Sequence, residues 1–392
     1  MTVSRHPSRR QFLKTGLGVL SALPVLPGRS TGTGTAPHYR AVIVGHTGAG
    51  DFGHGYDQVF NNLPNVQVTA VSDPDDAGAR RAAERSGAVR TYRDYRQMFD
   101  AERPNLVCLA MRQPATHLEI ALAAMDHARG IFMEKPMTAT LPQAEVLCRA
   151  AEEKGVTVAV AHNRRFDAEF CRAGALVASG FAGEIREINQ HGKQDARAGG
   201  EDMIVLGTHD FDLLRWWFGD PVWCSATVTV EGRDVTRADV RPGREPMRVA
   251  GDTIHAQFGF QGGLVARWSS VTTRDDWTTR RLQRERWAFE ILGSQRIVAW
   301  QSGIGFRFLD SPFLLHPDGA ADWQPLPEPP GGHAGGVAPG ADLIAAVESG
   351  RPPRCSGIDG RWTLEMLTAV YRSHFTRSRV ALPLHDRSDP LA

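Results

Sequence analysis

The chain has 392 residues, 42% of them apolar and 23% charged, with a net charge of +1. That is enough length and apolar surface for two domains of ordinary size, and it confines disorder to the ends. The near-neutral balance excludes binding to nucleic acid or to an acidic membrane surface by charge alone.

The first 36 residues stand apart. Ser8, Arg9, Arg10, Gln11, Phe12, Leu13 and Lys14 precede a mildly apolar segment, 16–26, and then a Gly/Ser/Thr-rich stretch that runs to Ala36. This order and spacing is that of a twin-arginine signal. The apolar run is too short and too rich in Gly and Pro for a permanent membrane span. The expectation is export by the twin-arginine machinery in the folded state, to the periplasm or beyond the cell. Five cysteines, Cys108, Cys148, Cys171, Cys224 and Cys355, are scattered without metal-ligand spacing and read as small core residues. An odd number in an exported chain argues against a complete disulfide framework.

From Tyr39 the pattern turns regular. An apolar strand over 41–44 runs into Gly45, His46, Thr47, Gly48, Ala49, Gly50, Asp51, Phe52 and Gly53. Gly48, Gly50 and Gly53 satisfy the G-x-G-x-x-G spacing of a dinucleotide-binding turn. Glycine there allows unusual dihedrals and lets the backbone approach a pyrophosphate held at a helix N-terminus. With 40 glycines in the chain, the spacing alone is weak. The next strand, 66–72, ends at Asp73, 20 residues beyond Gly53, where an acidic side chain is expected on the adenosine ribose hydroxyls. Such a carboxylate repels a 2′-phosphate, so the two signals together predict NAD rather than NADP.

The alternation continues with helices over 77–86 and 93–101, a strand over 105–111, and a helix over 114–127 that carries His117 in its first turns. A strand over 131–133 then delivers Glu134, Lys135 and Pro136 to the carboxyl edge of the sheet, where open α/β folds bind ligands. The proline holds Lys135 extended, so that Lys135 either faces the cleft or is a solvated turn lysine. A helix over 143–153 and a strand over 157–161 complete a doubly wound sheet that ends at His162, Asn163, Arg164, Arg165 and Phe166.

After Phe166 a helix over 168–179 is followed by β segments at 187–191, 222–230, 253–260, 264–271, 289–292 and 296–300. Strands in series predict a largely antiparallel sheet. Two late helices, 342–348 and 362–374, are expected to pack back on the core. The fold class is therefore α/β: a signal and linker over 1–36, a Rossmann dinucleotide-binding domain over 37–162, and a C-terminal α+β domain over 163–392 with a large, mostly antiparallel open sheet.

This set of features resembles one family, the oxidoreductases similar to glucose-fructose oxidoreductase, inositol dehydrogenase and the rhizopine-catabolism protein MocA (Gfo/Idh/MocA). The matches are the Gly-rich turn, Asp73, Pro114 with His117, the triplet Glu134, Lys135 and Pro136, then Arg164 and Arg165, Gly183 with Ile185, and the helix around His209. They span roughly residues 39–374. The resemblance implies a second domain that carries the substrate pocket and often the interface of a homo-dimer or homo-tetramer. It implies that Lys135 contacts the substrate hydroxyl and the nicotinamide ribose, with Gly45, Gly48, Gly50, Gly53, Asp73, His117, Glu134 and Pro136 around the cofactor, and often a cis peptide before the proline. An ammonium in that place stabilises a developing alkoxide and relays its proton during hydride transfer.

The family's second element is an aspartate four residues before a histidine on one helix. His209 matches the histidine, and Val205 stands at the aspartate. Positions 205, 209, 212, 213 and 216 share a helical face, so the place of the acid is apolar. His209 is read as a general acid/base titrating near neutrality, the alternative being a packed histidine bonded to Asp212 or to backbone. A replacement acid is sought in the polar run before the helix. There Asp202 is either an N-cap or a catalytic group, and Lys193 and Glu201 either lie in solvent or join Arg164 and Arg165 on the substrate.

Three functions stay open. The first is an NAD-dependent oxidoreductase acting on a hydroxyl of a sugar, polyol or sugar derivative with a tightly retained cofactor. The second is redox-neutral glycoside cleavage by oxidation, elimination and reduction, and the third is a non-catalytic ligand-binding protein. Export favours a retained cofactor, because no dependable soluble nicotinamide pool exists outside the cytoplasm. The joint presence of Lys135, His209 and both cofactor signals weighs against mere binding.

Overall fold

Strands buried on both faces build the first sheet of the computed structural model, which describes residues 39–272, 287–313, 322–333 and 335–392. The twin-arginine pattern, and with it the expectation of export, lies outside the described residues. Within them, no helix is long and apolar enough to cross a membrane.

β1 (Tyr39–Val44), β2 (Val66–Ser72), β3 (Arg90–Tyr92), β4 (Leu106–Leu109), β5 (Gly130–Met133) and β6 (Thr157–Val160) pair in the order β3-β2-β1-β4-β5-β6. All five pairings are parallel. Ala41, Val42, Ile43, Leu106, Val107, Ile131 and Phe132 are fully enclosed, as strands sandwiched between crossover helices must be. The helices are α1 (Asp76–Ser86), α2 (Tyr95–Glu102), α3 (Pro114–Ala124) and α4 (Leu141–Lys154). The side chains of Asp75, Asp94 and Thr140 accept first-turn N–H groups of α1, α2 and α4, which sets where each helix starts. Strand order reverses between β1 and β4, so a crevice opens at their carboxyl ends.

α5 (Ala168–Ala178) leads into the second sheet through β7 (Ile185–His191). Then come α6 (Gly200–Asp202), a π-helical turn (Met203–Gly207), α7 (Thr208–Phe218) and β8 (Trp223–Val230). The sheet runs Gln324–Pro325, Gly305–Leu309, Ile297–Gln301, Ala288–Gly293, β7, Val265–Val271, Thr253–Gly259, β8, Val380–Ala381. Every pairing in that order is antiparallel except β7 with Val265–Val271. Alternate residues such as Ile254, Ala256, Phe258, Ala266 and Trp268 are buried, the signature of a sheet packed on one face. α8 (Pro339–Ser349) packs on β5 and β6, and α9 (Gly357–Thr376) on α4, α7 and β8. The chain between them bonds back to β6, with Val160 N donating to Cys355 O at 3.0 Å.

Candidate active site

Five glycines, Gly45, Gly48, Gly50, Gly53 and Gly55, follow β1. Each disfavours a helix by about 1 kcal/mol relative to alanine. The chain makes turns and one 3-10 turn, Tyr56–Gln58, where the sequence predicted a helix. A pyrophosphate held by this loop would meet loop N–H groups rather than a helix N-terminus. Gly50 has φ 86° and Gly53 φ 59°. A side chain at Gly50 would lie 2.5 Å from Arg112 N, and one at Gly53 would lie 2.4 Å from Ala110 O. Glycine at both positions lets the loop lie flat across the end of β4. Among the described residues the N–H groups of Gly50 and Phe52 have no acceptor, the kind of backbone cradle that fits a bound phosphate. A cavity of about 500 Å³ borders the loop, lined by Thr47, Gly53, Gly78, Arg81 and Arg85 among others.

Asp73 ends β2 as predicted, but it is enclosed. Its carboxylate accepts from Thr47 N at 3.0 and 3.1 Å, from Thr47 Oγ1 at 2.7 Å and from Asp75 N at 2.9 Å. In this arrangement it ties the Gly-rich loop to β2, and a ribose reaches it only by displacing Thr47.

β5 carries the triplet to the same edge. Glu134 is enclosed; it accepts from His54 N at 3.2 Å and from Lys135 N at 2.8 Å, and it makes a closer hydrogen bond to His54 Nδ1. Burial pushes its carboxyl up, but the hydrogen bond and charge of His54 and the charge of Lys135 outweigh that and bring it below its ordinary value. The peptide between Lys135 and Pro136 is cis. Lys135 is 3% exposed, and its Nζ donates to Val205 O at 2.9 Å. Burial lowers this ammonium; Glu134 and Glu245 resist, and Arg112 and Arg197 add to the lowering. The π-helical turn distorts the ladder of helical hydrogen bonds at Val205. The position that lacks the expected acid thus meets Lys135 through its main chain.

His117 was expected at the cofactor, and both of its ring nitrogens face main-chain carbonyls. It is enclosed, with Nδ1 3.1 and 3.2 Å from Pro136 O and Met137 O and Nε2 2.8 Å from Met111 O. Pro114 starts α3 beneath the sheet edge, so the His117 ring staples the chain after β5 to the chain after β4.

His209 is 9% exposed and stands perpendicular to His162, with ring centroids 5.3 Å apart. It has no bond to Asp212, whose carboxylate is held by Arg165. Burial first, then the charges of Lys135, His162 and Arg164, push His209 well below its ordinary value. The expectation of titration near neutrality is therefore overturned: desolvation keeps the ring neutral. His162 is driven down to about 4, again by burial first. Sequence reasoning passed over His162, although it follows β6 at the same carboxyl edge as Lys135. It also passed over His54, next to Gly53.

Arg164 donates to Asp210 Oδ1 at 2.6 Å and lies 4.9 Å over Trp287, 5.1 Å over Phe170 and 5.3 Å over Trp300. Lys193 lies 5.7 Å over the same Trp287 ring. Arg165, by contrast, is committed inside the protein, to Asp212 at 2.7 Å and to Asp359 at 3.1 Å. Glu201 is likewise committed, accepting from Arg244 N at 2.9 Å and Arg241 Nη1 at 3.3 Å. The N-cap role expected of Asp202 is also corrected: Gly199, with φ 81°, caps α6. The Asp202 carboxylate turns back instead to Ser270 Oγ at 2.7 Å and Gln194 N at 3.2 Å, and burial raises it to about 6. Ser270 Oγ also accepts from Gly199 N at 2.9 Å. The polar run before α6 is thereby anchored rather than loose.

Comparison with known proteins adds to this geometry. Residues 40–162 match the model of an oxidoreductase family with an NAD-binding Rossmann fold, GFO_IDH_MocA, and residues 170–298 match the GFO/IDH/MocA C-terminal domain. D-apiose dehydrogenase of Paraburkholderia graminis is 25% identical over 365 residues, covering 88% of this chain and 90% of that one. The oxidoreductase YrbE of Bacillus subtilis is 26% identical over 191 residues, 47% of this chain and 55% of YrbE, so that match spans about half of the relative's length. The solved structure of levoglucosan dehydrogenase, a complex with NADH and levoglucosan, aligns with a TM-score of 0.68 at 18% identity, over 88% of this chain and 100% of that one. At that identity the likeness speaks for the fold, and function rests on the site. With its parallel-sheet half and its open-sheet half matched by the two domains of one family, the chain belongs to the GFO/IDH/MocA family of NAD-binding oxidoreductases.

Proposed function

We propose that this protein is an NAD-dependent dehydrogenase that oxidises a hydroxyl of a sugar, polyol or sugar derivative, outside the cytoplasm and with a cofactor it keeps bound. The observation that carries the reading is the enclosed Lys135 ammonium. Its Nζ is bonded to Val205 O on the side of the helix that bears His209, and Glu134, which accepts from the Lys135 main-chain N–H, adds a negative charge on the side of the Gly-rich loop. The names of the apiose and levoglucosan dehydrogenases make a sugar-like substrate the natural choice. The twin-arginine pattern supports export after folding, which lets a bound nucleotide travel with the protein.

NAD, when bound, supplies the acceptor for the hydride. The chain's own residues handle the proton and the charge. Lys135 Nζ donates to the reacting hydroxyl oxygen and stabilises the negative charge that develops there, the more strongly because the site is enclosed. Glu134 opposes the lowering that burial imposes on the lysine and so favours its cationic form. His209, held neutral, offers a lone pair to take the hydroxyl proton. Trp287, partly exposed with Arg164 and Lys193 over its ring, suits the apolar face and hydroxyl edges of a sugar ring.

The test is to purify the exported protein, release and identify any bound nucleotide, and offer sugars, polyols and glycosides without added NAD. Reduced nicotinamide accumulating on the enzyme supports the proposal. Failure to carry or bind NAD sinks it, and release of an aglycone without net reduction replaces it with redox-neutral cleavage.

A further inference from the structure

His162 and His209 meet beside Lys135 with polar atoms to spare. Both nitrogens of His162 and Nδ1 of His209 are enclosed without a hydrogen-bond partner among the described residues. Buried polar atoms are almost always bonded, and a neutral imidazole carries one N–H to give and one lone pair to accept with. Each ring therefore holds what the other lacks. Two imidazoles whose centroids are 5.3 Å apart lie about 3 Å apart nitrogen to nitrogen when turned towards each other, a hydrogen-bond length. The rings stand at 90°, and χ2 is a soft terminal torsion about which each ring can turn.

The surrounding charges give the pair a direction. The largest charge effects on His209 come from Lys135, His162, Arg164 and His54 and all disfavour its cation, while the acids on its own helix, Asp210 and Asp212, are paired with Arg164 and Arg165. His162 is faced by Lys135 and Arg165 but also by the carboxylates of Asp212 and Asp359. A positive charge that arrives on His209 is thus repelled from its own side and attracted towards His162.

We propose that His162 is a positioning residue of this active site, an internal acceptor that pairs with His209 and shares the proton His209 takes from the substrate hydroxyl. As the substrate O–H bond breaks, an N–H bond forms on one nitrogen of His209. The N–H on its other nitrogen then bonds to the lone pair of a His162 nitrogen, or passes its proton there. No electron changes owner in this step, and the hydride is a separate transfer. The role rests on the proposed dehydrogenase reaction, yet it can be read without running that reaction.

The test follows the histidine ring signals of the full-length protein by NMR as pH is varied, without substrate, in the wild type, His162→Phe and His162→Gln. Sharing predicts that His162→Phe lowers the proton affinity of His209 by about tenfold or more, one pH unit. The acid limb of kcat/KM should move down by the same amount. His162→Gln, whose amide oxygen still accepts an N–H, should recover most of the shift. If His162 only fills space, its loss leaves His209 unchanged or raises its proton affinity by removing a neighbouring positive charge. Either result overturns the proposal, and so does a glutamine variant that behaves like phenylalanine. A wild type inactive on every sugar, with the predicted titrations intact, overturns the reaction and leaves the proton pair standing.

Discussion

Two groups of polar side chains at the site are held differently, although Arg112 Nε and Gln113 Oε1, just after β4, are also enclosed without a partner among the described residues. At the ends of β2, β4 and β5, the side chains of Asp73, Glu134 and His117 are committed to protein partners, and they brace the Gly-rich loop and the turn at Pro136. At the end of β6 and along the helix from α6 to α7, His162, His209, Arg164 and Asp202 each keep at least one enclosed polar atom without a partner among the described residues. Each such atom costs about 1–3 kcal/mol when it is left unpaired, and perturbed buried groups of this kind cluster at functional sites. The nucleotide half is built as scaffold. On the proposed reaction the second group is the machinery, and Lys135 joins the two.

The sharpest way to break that contrast is at the joint. Lys135→Ala should lower kcat by about 10²–10⁴-fold, the range of a positioned proton-handling group, with fold and bound nucleotide retained. Turnover and the nucleotide content of the purified variant check this, and full activity would remove Lys135 from the machinery. Next in size is Arg165→Met, which strips the cation from an enclosed pair and leaves Asp212 uncompensated. A loss of about 3–5 kcal/mol in denaturant unfolding is expected; a loss below about 1 kcal/mol would mean that the Arg165 pair is not part of the scaffold.

Asp202 tests the other half. Its folded-state carboxyl is raised from 3.8 to about 6, so between those values the folded protein holds a proton that the unfolded chain has lost. Stability contributed by this group is therefore present below that window and is lost as pH rises through it, by about 2–3 kcal/mol in all. Asp202→Asn should flatten that part of the stability curve, and an unchanged slope would show the carboxyl to be unstrained. The smallest effect is expected from Asp73→Ala. Thr47 and Asp75 lose their acceptor, a cost of about 1–3 kcal/mol, and less NAD should co-purify. Lower stability with undiminished NAD would make Asp73 a clamp on the loop alone.

The parallel sheet was legible because strands enclosed on both faces are continuous apolar runs, and Asp94 and Thr140 announce helix starts in the sequence itself. β3 was not, since Arg90–Tyr92 is three partly exposed residues without an apolar pattern. The turn after β1 was misjudged because the spacing of Gly48, Gly50 and Gly53 resembles a loop that opens a helix, while two further glycines weaken that helix. Nothing in the run from Met203 to Gly207 announces a π-helical turn. It is visible only where Lys135 takes the Val205 carbonyl from a segment 70 residues away.

By itself, the sequence determined what local chemistry determines: the alternation of strands and helices, a glycine turn with an acidic strand end, and a lysine set before a proline at the mouth of a sheet. Only the tertiary structure decided which polar groups are braced and which are left open. Arg165 was spent on Asp359, 194 residues away, and His209 was kept neutral by enclosure beside Lys135 and His162. The physical reason is that a side chain's protonation and partners depend on desolvation and on charges brought from distant segments, and neither is written in the residues on either side of it.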